Sequence, residues 1–156
     1  MRMNEKLIVR SVAPEDLAAW RTLWDGYNAF YGRDGATALP EPVTLTTWAR
    51  FFDGHEPVHG LVAERAGIVV GLAHYIFHRS TTQIGPICYL QDLFTAPQAR
   101  GIGVGRALIS AVYEAAAAGG ARGSIGKLMR ATSRPNRSTT RSACAPALSS
   151  TGLNYD

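Results

Sequence analysis

The sequence predicts one α/β domain, and three observations carry that reading. Strand-like runs bounded by turn residues follow amphipathic helical patterns along residues 1–121. A hairpin signal, Ala66-Gly67, joins two apolar runs, Val58 to Glu64 and Ile68 to His78. The stretch from Tyr89 to Ile109 reads as strand, turn, glycine loop and helix in succession.

Each element has a local reason. Leu7 to Val12 is strand-like because its β-branched residues favour extended backbone. Pro14-Glu15-Asp16 opens a helix, with proline in the first turn and carboxylates on the positive end of the dipole. Leu17, Trp20, Leu23, Trp24 and Tyr27 recur at helical spacing and form its core face. The tip, Tyr27 to Tyr31, carries more aromatic surface than a helix end requires. After a loop at Gly32 to Ala36, Leu39 to Val43 is extended, since a residue before proline avoids the α region. Thr44 or Thr46 caps a second helix through Trp48 and Phe51-Phe52, ending near Gly54. Gly71 marks a bulge in the Ile68 strand. Ile87, Leu90 and Phe94 suit a buried strand, and Pro97 stops it. Leu108, Ile109, Val112 and Ala116 share one face of the helix after the glycines.

The glycine loop has the physics of an anion site. Gly101, Gly103 and Gly105 allow close backbone approach and positive φ. The first N–H groups of the following helix have no partners, the dipole favours negative charge there, and Arg100 and Arg106 add full charges. A phosphate or pyrophosphate is the natural guest. No Gly-Lys-Ser/Thr follows, which excludes a P-loop, and the spacing is not that of a dinucleotide fingerprint.

Gln98-Ala-Arg-Gly101-Ile-Gly103 resembles the coenzyme A loop of the GNAT superfamily of N-acetyltransferases, Gln/Arg-x-x-Gly-x-Gly/Ala, at every specified position. The order of elements from Leu7 to about Gly119 is similar to that family as well. Glu56-Pro-Val-His-Gly, His74-Tyr-x-x-His78-Arg-Ser and Tyr89-Leu-Gln-Asp-Leu-Phe resemble a branch of small bacterial members. The resemblance implies a mixed, mostly antiparallel sheet with helices on both faces. It implies acetyl transfer from acetyl-CoA to a primary amine of a small molecule or a protein. Gln98, Ala99, Arg100, Gly101, Ile102, Gly103, Val104, Gly105 and Arg106 would hold the coenzyme, and the backbone of Leu93, Phe94 and Thr95 its pantetheine arm. The first helix and its following loop would help form the acceptor site, which makes Tyr27, Tyr31, His74 and Tyr75 candidate substrate contacts, with ordinary packing as the alternative. A homodimer is also implied, through C-terminal strands.

Asp92 is the best carboxylate for proton handling, because its strand would line the cleft between coenzyme and acceptor. A surface or ion-paired aspartate is the alternative. His74 and His78 lie four apart on one strand, hence on one face, but no further ligands accompany them and no metal is expected.

Charge and composition narrow the rest. The formal net charge of +4 is uneven: residues 1–121 hold ten Lys/Arg and eleven Asp/Glu, and residues 122–156 hold six Lys/Arg and one Asp. The basic excess therefore belongs to the tail, and nucleic-acid binding is not expected of the domain. No run of 18 apolar residues exists and the start has no apolar signal core, so neither membrane insertion nor secretion is expected. Cys88 and Cys144 make no disulfide framework, Cys88 reads as a small buried hydrophobe, and a cytoplasmic setting follows.

Residues 1–121 thus read as the N-terminal and coenzyme-binding parts of the domain, and residues 122–156 as an atypical tail of disordered composition. The family would continue with a strand and a helix carrying an Asn and a Tyr, the latter often the proton donor to the leaving thiolate. Taking the third base of each codon with the first two of the next, Gly123 to Arg130 permits V-Y-W-Q-T-H-E, then S-N, and later L-Y-D-K-V, ending on a permitted stop at Tyr155-Asp156. That text resembles the family's C-terminal part, so we expect a slip of reading frame around Gly119 to Gly123, with a genuine, divergent, flexible tail as the alternative. A chain without those segments has a rival reading, a non-catalytic or inactivated coenzyme A-binding protein.

Overall fold

The computed structural model describes residues 6–121 and 125–126. One sheet holds β1 (Leu7–Ser11), β2 (Val58–Arg65), β3 (Ile68–His78), β4 (Ile87–Thr95) and β5 (Ile125–Gly126), in that spatial order. Neighbours pair antiparallel from β1 to β4, and β5 runs parallel to β4 opposite Cys88 and Tyr89. Helices α1 (Leu17–Phe30) and α2 (Glu41–Arg50) cover one face, where Trp20, Trp24 and Phe51 surround the His74 ring of β3. Helix α3 (Val104–Ala118) covers the other, where Val104 and Leu108 come against Gly71. This is the α/β class with a mostly antiparallel sheet and helices on both faces. Apart from β5, the tail and its H-E-x-N and L-Y-D-K readings lie outside the described residues.

The hairpin forms where Ala66-Gly67 predicts it. Both residues have positive φ, 52° and 77°, which matches the twist of the strands they join. The expected bulge falls on Val70, beside Gly71: Ala63 faces Gly71 while Glu64 faces Val69. Gly71 has a packing role as well, since a Cβ there would lie 2.7 Å from Val104 Cγ1. Along α1 the buried stripe is Trp20, Leu23, Trp24 and Tyr27, whereas Leu17 is exposed. Full burial of each such side chain is worth about 1.5–3 kcal/mol.

Two boundaries differ from expectation. Pro14–Asp16 forms a single 3-10 turn, and α1 proper starts at Leu17. Helix α2 starts at Glu41 and ends at Arg50, so Thr44 is a buried residue within it and neither threonine caps it. Pro42 suits a first turn, where a missing N–H costs nothing, and Glu41 meets the positive end of the dipole. Phe51 is the C-cap, and Gly54 lies beyond the helix.

A second bulge decides the site. His74 faces Asp92 but Tyr75 faces Leu90, which leaves Gln91 of β4 unpaired with β3. Directly opposed residues share a face. Leu90 and Cys88 therefore lie with Tyr75 and Phe77 on the α3 side, while Asp92 and Phe94 lie with His74 and Leu72 on the α1 side. Phe77 also reaches the end of α3, where a Cβ on Gly119 would meet its ring at 2.6 Å.

Candidate active site

Asp92 and His74 form the centre. Asp92 is 8 % exposed and His74 2 %. His74 Nδ1 lies 2.9 Å from Asp92 Oδ2, and Trp20 Nε1 donates to His74 Nε2 at 2.9 Å. An indole nitrogen can only donate, so Nε2 accepts and the ring carries its proton on Nδ1, which donates to the carboxylate. The helical stripe of α1 brings Trp20 here, and the register of β3 and β4, shifted by the bulge at Gln91, sets His74 opposite Asp92. Trp24 and Phe51 enclose the ring at centroid distances of 5.1 and 4.8 Å.

Tyr27 extends the chain of polar groups. Burial, then the neighbouring Asp92 carboxylate, push its hydroxyl well above the usual phenol range. Its ring stacks on Trp24 at 5.3 Å and meets Phe94 edge-on at 6.4 Å. Tyr31 is exposed and tilts against Tyr27 at 5.0 Å. Of the four expected substrate contacts, His74 and Tyr27 thus lie beside Asp92, and Tyr31 lies outward against Tyr27. Tyr75 does not: it is buried on the α3 side, stacked on His59 at 5.0 Å, because adjacent strand residues point to opposite faces. His78 is exposed at the strand end, with Nδ1 on the Arg79 carbonyl at 3.0 Å, and takes no part in the site. Arg33 and Asn28, which sequence reading passed over as loop and helix tip, join the cluster: Arg33 Nε donates to Asn28 Oδ1 at 2.7 Å.

The glycine loop lies at the end of β4. Gly101 and Gly103 have φ of 81° and 93°, and a Cβ on either would enter open space. These glycines are there for conformation, and the loop surface they leave is free for a ligand. Gly103 caps α3 without any side-chain hydrogen bond, and the first backbone bond is Ala107 N–H to the Gly103 carbonyl at 3.0 Å. The N–H groups of Val104, Gly105 and Arg106 at the helix start are therefore left for a ligand. Arg100 and Arg106 are exposed beside them, with the Arg100 guanidinium 5.9 Å from the Phe94 ring centre. Gln98 and Ile102 are exposed too, whereas the side chains of Ala99 and Val104 are core, so only their backbone can face a ligand. Open loop, uncapped helix start and two arginines fit a pyrophosphate. Leu93, Phe94 and Thr95, half-buried on β4, lead from Asp92 to this loop. Among the described residues, no group of three or more His, Cys, Asp or Glu is placed to hold a metal ion.

A family profile described as Acetyltransferase (GNAT) domain matches residues 56–143. The chain belongs to the GNAT acetyltransferase family. It is 35 % identical over 116 residues to a D-amino-acid N-acetyltransferase of Saccharomyces cerevisiae, a match covering 73 % of this chain and 70 % of that protein. Its fold is similar to that of the aminoglycoside acetyltransferase AAC(6')-Iy in complex with a bisubstrate analogue of coenzyme A, with TM-score 0.65 and 19 % identity over 81 % of this chain and 83 % of that one. A ribosomal-protein-alanine N-acetyltransferase from Brucella melitensis biovar Abortus 2308 superimposes with TM-score 0.58 and 15 % identity, over 72 % and 73 % of the two chains. As a GNAT protein the chain is an acyltransferase that uses acetyl-CoA. Among the described residues, no helix is long and apolar enough to cross a membrane.

Proposed function

We propose that this GNAT protein transfers the acetyl group of acetyl-CoA to a primary amine, with Asp92 as the group that takes the amine's proton. The observation that carries the proposal is the buried pair of His74 on β3 and Asp92 on β4, with Asp92 directly before the strand residues that lead to the glycine loop. Bound acetyl-CoA would supply the thioester carbonyl that accepts the amine lone pair; the C–S bond would then break, and the proton the nitrogen sheds on becoming an amide would end on the sulfur as the released thiol. The chain's own residues do the rest. Asp92 accepts the proton that leaves the ammonium before attack. His74 holds that carboxylate in place, and Trp20 fixes the tautomer in which it can do so. Tyr27 and Trp24 wall the site against water. The N–H groups of Val104, Gly105 and Arg106 would bind the pyrophosphate, and the backbone of Leu93 to Thr95 the pantetheine arm.

The acceptor is a small-molecule or protein amine. Thiol release from acetyl-CoA, measured over a panel of amines, tests the reading. Asp92→Asn should lower kcat by about 10²–10⁴-fold while coenzyme A binding, followed by calorimetry, persists. Coenzyme A binding with no thiol release for any amine would make the chain a non-catalytic binder instead.

A further inference from the structure

Arg33 is held in a way that surface arginines are not. Its Nε donates to Asn28 Oδ1 at 2.7 Å and its backbone N–H to the Asn28 carbonyl at 2.9 Å. Asn28 is 4 % exposed, and its own Nδ2 is fixed on the Trp24 carbonyl at 2.8 Å. The guanidinium lies over two tyrosine rings, 5.7 Å from the centre of Tyr27 and 5.4 Å from that of Tyr31. A buried amide and two aromatic faces therefore set its plane, while its terminal nitrogens make no hydrogen bond or ion pair among the described residues.

Such a fork is shaped for a planar anion held by two parallel N–H bonds. Arg33 and Asn28 also line a cavity of about 310 Å³ beside α1, together with Asp25 and Asp34. Asp25 is occupied by Arg21 at 3.2 Å, and neither carboxylate pairs with Arg33. Arg21 lines the same wall but is taken up by Asp25 and Glu41, which leaves Asp34 as the wall carboxylate without an ion pair among the described residues, and its charge favours a monoanion over a dianion such as phosphate. On its other side the Tyr27 ring leads to Asp92. An acceptor with its anionic end on Arg33 would direct its amine along Tyr27 towards that carboxylate.

We infer that Arg33 binds the carboxylate of the acceptor, so that the acceptor is an amino acid or a similar small amine carrying one carboxylate. The inference rests on the acetyl-transfer reading above and narrows its substrate class. Arg33 is a specificity residue, and Asn28 is its positioning residue.

The test compares matched acceptors, amino acids of either hand and their carboxamides, with the full chain and its R33Q and R33K variants, each checked for an unchanged thermal transition. The wild type should favour the acid over its amide by about 10- to 100-fold in kcat/KM. In R33Q the acid should fall to the level of its amide through KM, and R33K should restore only part, since an ammonium cannot offer the fork. Equal use of acid and amide by the wild type, or a preference that survives in R33Q, overturns the assignment while acetyl transfer stands. Should no acceptor turn over, acetyl transfer fails by itself, and calorimetric titration with an N-acetyl amino acid and its amide decides the assignment. Binding that needs the carboxylate and is lost in R33Q supports it; binding indifferent to either, or absent from the wild type, overturns it.

Discussion

Trp20 and Trp24 lie one turn apart on α1, stacked at 5.8 Å, yet only the first has a partner for its indole N–H. Trp24 Nε1 is buried without a hydrogen bond among the described residues. Replacement by phenylalanine should therefore separate them. Trp20→Phe strands the His74 Nε2 acceptor and frees the ring to change tautomer, whereas Trp24→Phe removes an N–H that had no partner. Urea unfolding should find Trp20→Phe the more destabilising by about 1–2 kcal/mol, with the larger loss of acetylation; equal midpoints would mean that the Trp20–His74 bond contributes nothing. At this scale the sequence is read by residue type. Trp20, Tyr27 and Asp92 are legible from a helical stripe and a strand position. The His74–Asp92 contact is not, because it depends on which strand residues face each other. Arg33 and Asn28 escaped because a loop arginine and a helix-tip amide carry no pattern; only the folded helix end puts one on the other.

Strand β3 ties the two halves of the site together. His74 faces α1, and three residues earlier Gly71 lets the first turn of α3 approach the opposite face, with a would-be Cβ 2.7 Å from Val104 Cγ1 and 3.1 Å from the Phe94 carbonyl. Gly71→Ala should push that turn outward at a cost of about 1–3 kcal/mol. The displaced N–H groups should raise KM for acetyl-CoA with little change in its kcat. An unchanged KM in a destabilised protein would show that the loop is set by its glycines alone. The order of strands and helices was legible from periodicity and punctuation, and so were the hairpin and the α3 stripe. The bulge at Gln91 was not. Straight alternation would put Leu90, Asp92 and Phe94 on one face, and an extra residue in β4 is visible only as a break in register. The start of α2 was misplaced for a related reason: proline at the front of a helix looks, in sequence, like proline in extended chain.

Across the whole molecule, the start of α1 is anchored to the sheet by charge. Arg10 of β1 donates to Asp16 at 2.6 and 2.9 Å and to Glu64 of β2 at 3.0 Å, and Asp16 also accepts the Ala13 N–H at 2.8 Å. The Arg10 hydrogen bond holds the Asp16 carboxyl below the usual carboxylate range despite its burial. A carboxyl depressed on folding contributes stability above its unfolded pKa, about 3.9, and loses it as pH falls through the folded value. Asp16→Asn should cost about 1–3 kcal/mol near neutrality and flatten the acid limb of the stability curve; an unaltered limb would assign acid unfolding to other groups. The site itself has an optical consequence. The chain contains three tryptophans, and all of them meet in one cluster, Trp20 against Trp24 and Trp48, with two touching His74. All indole emission therefore originates in the one aromatic cluster that surrounds the His74 imidazole. If the α1 face of the sheet takes the acceptor as proposed, the protein carries its own fluorophore there, and quenching or a wavelength shift on mixing would report occupancy in real time, without a label.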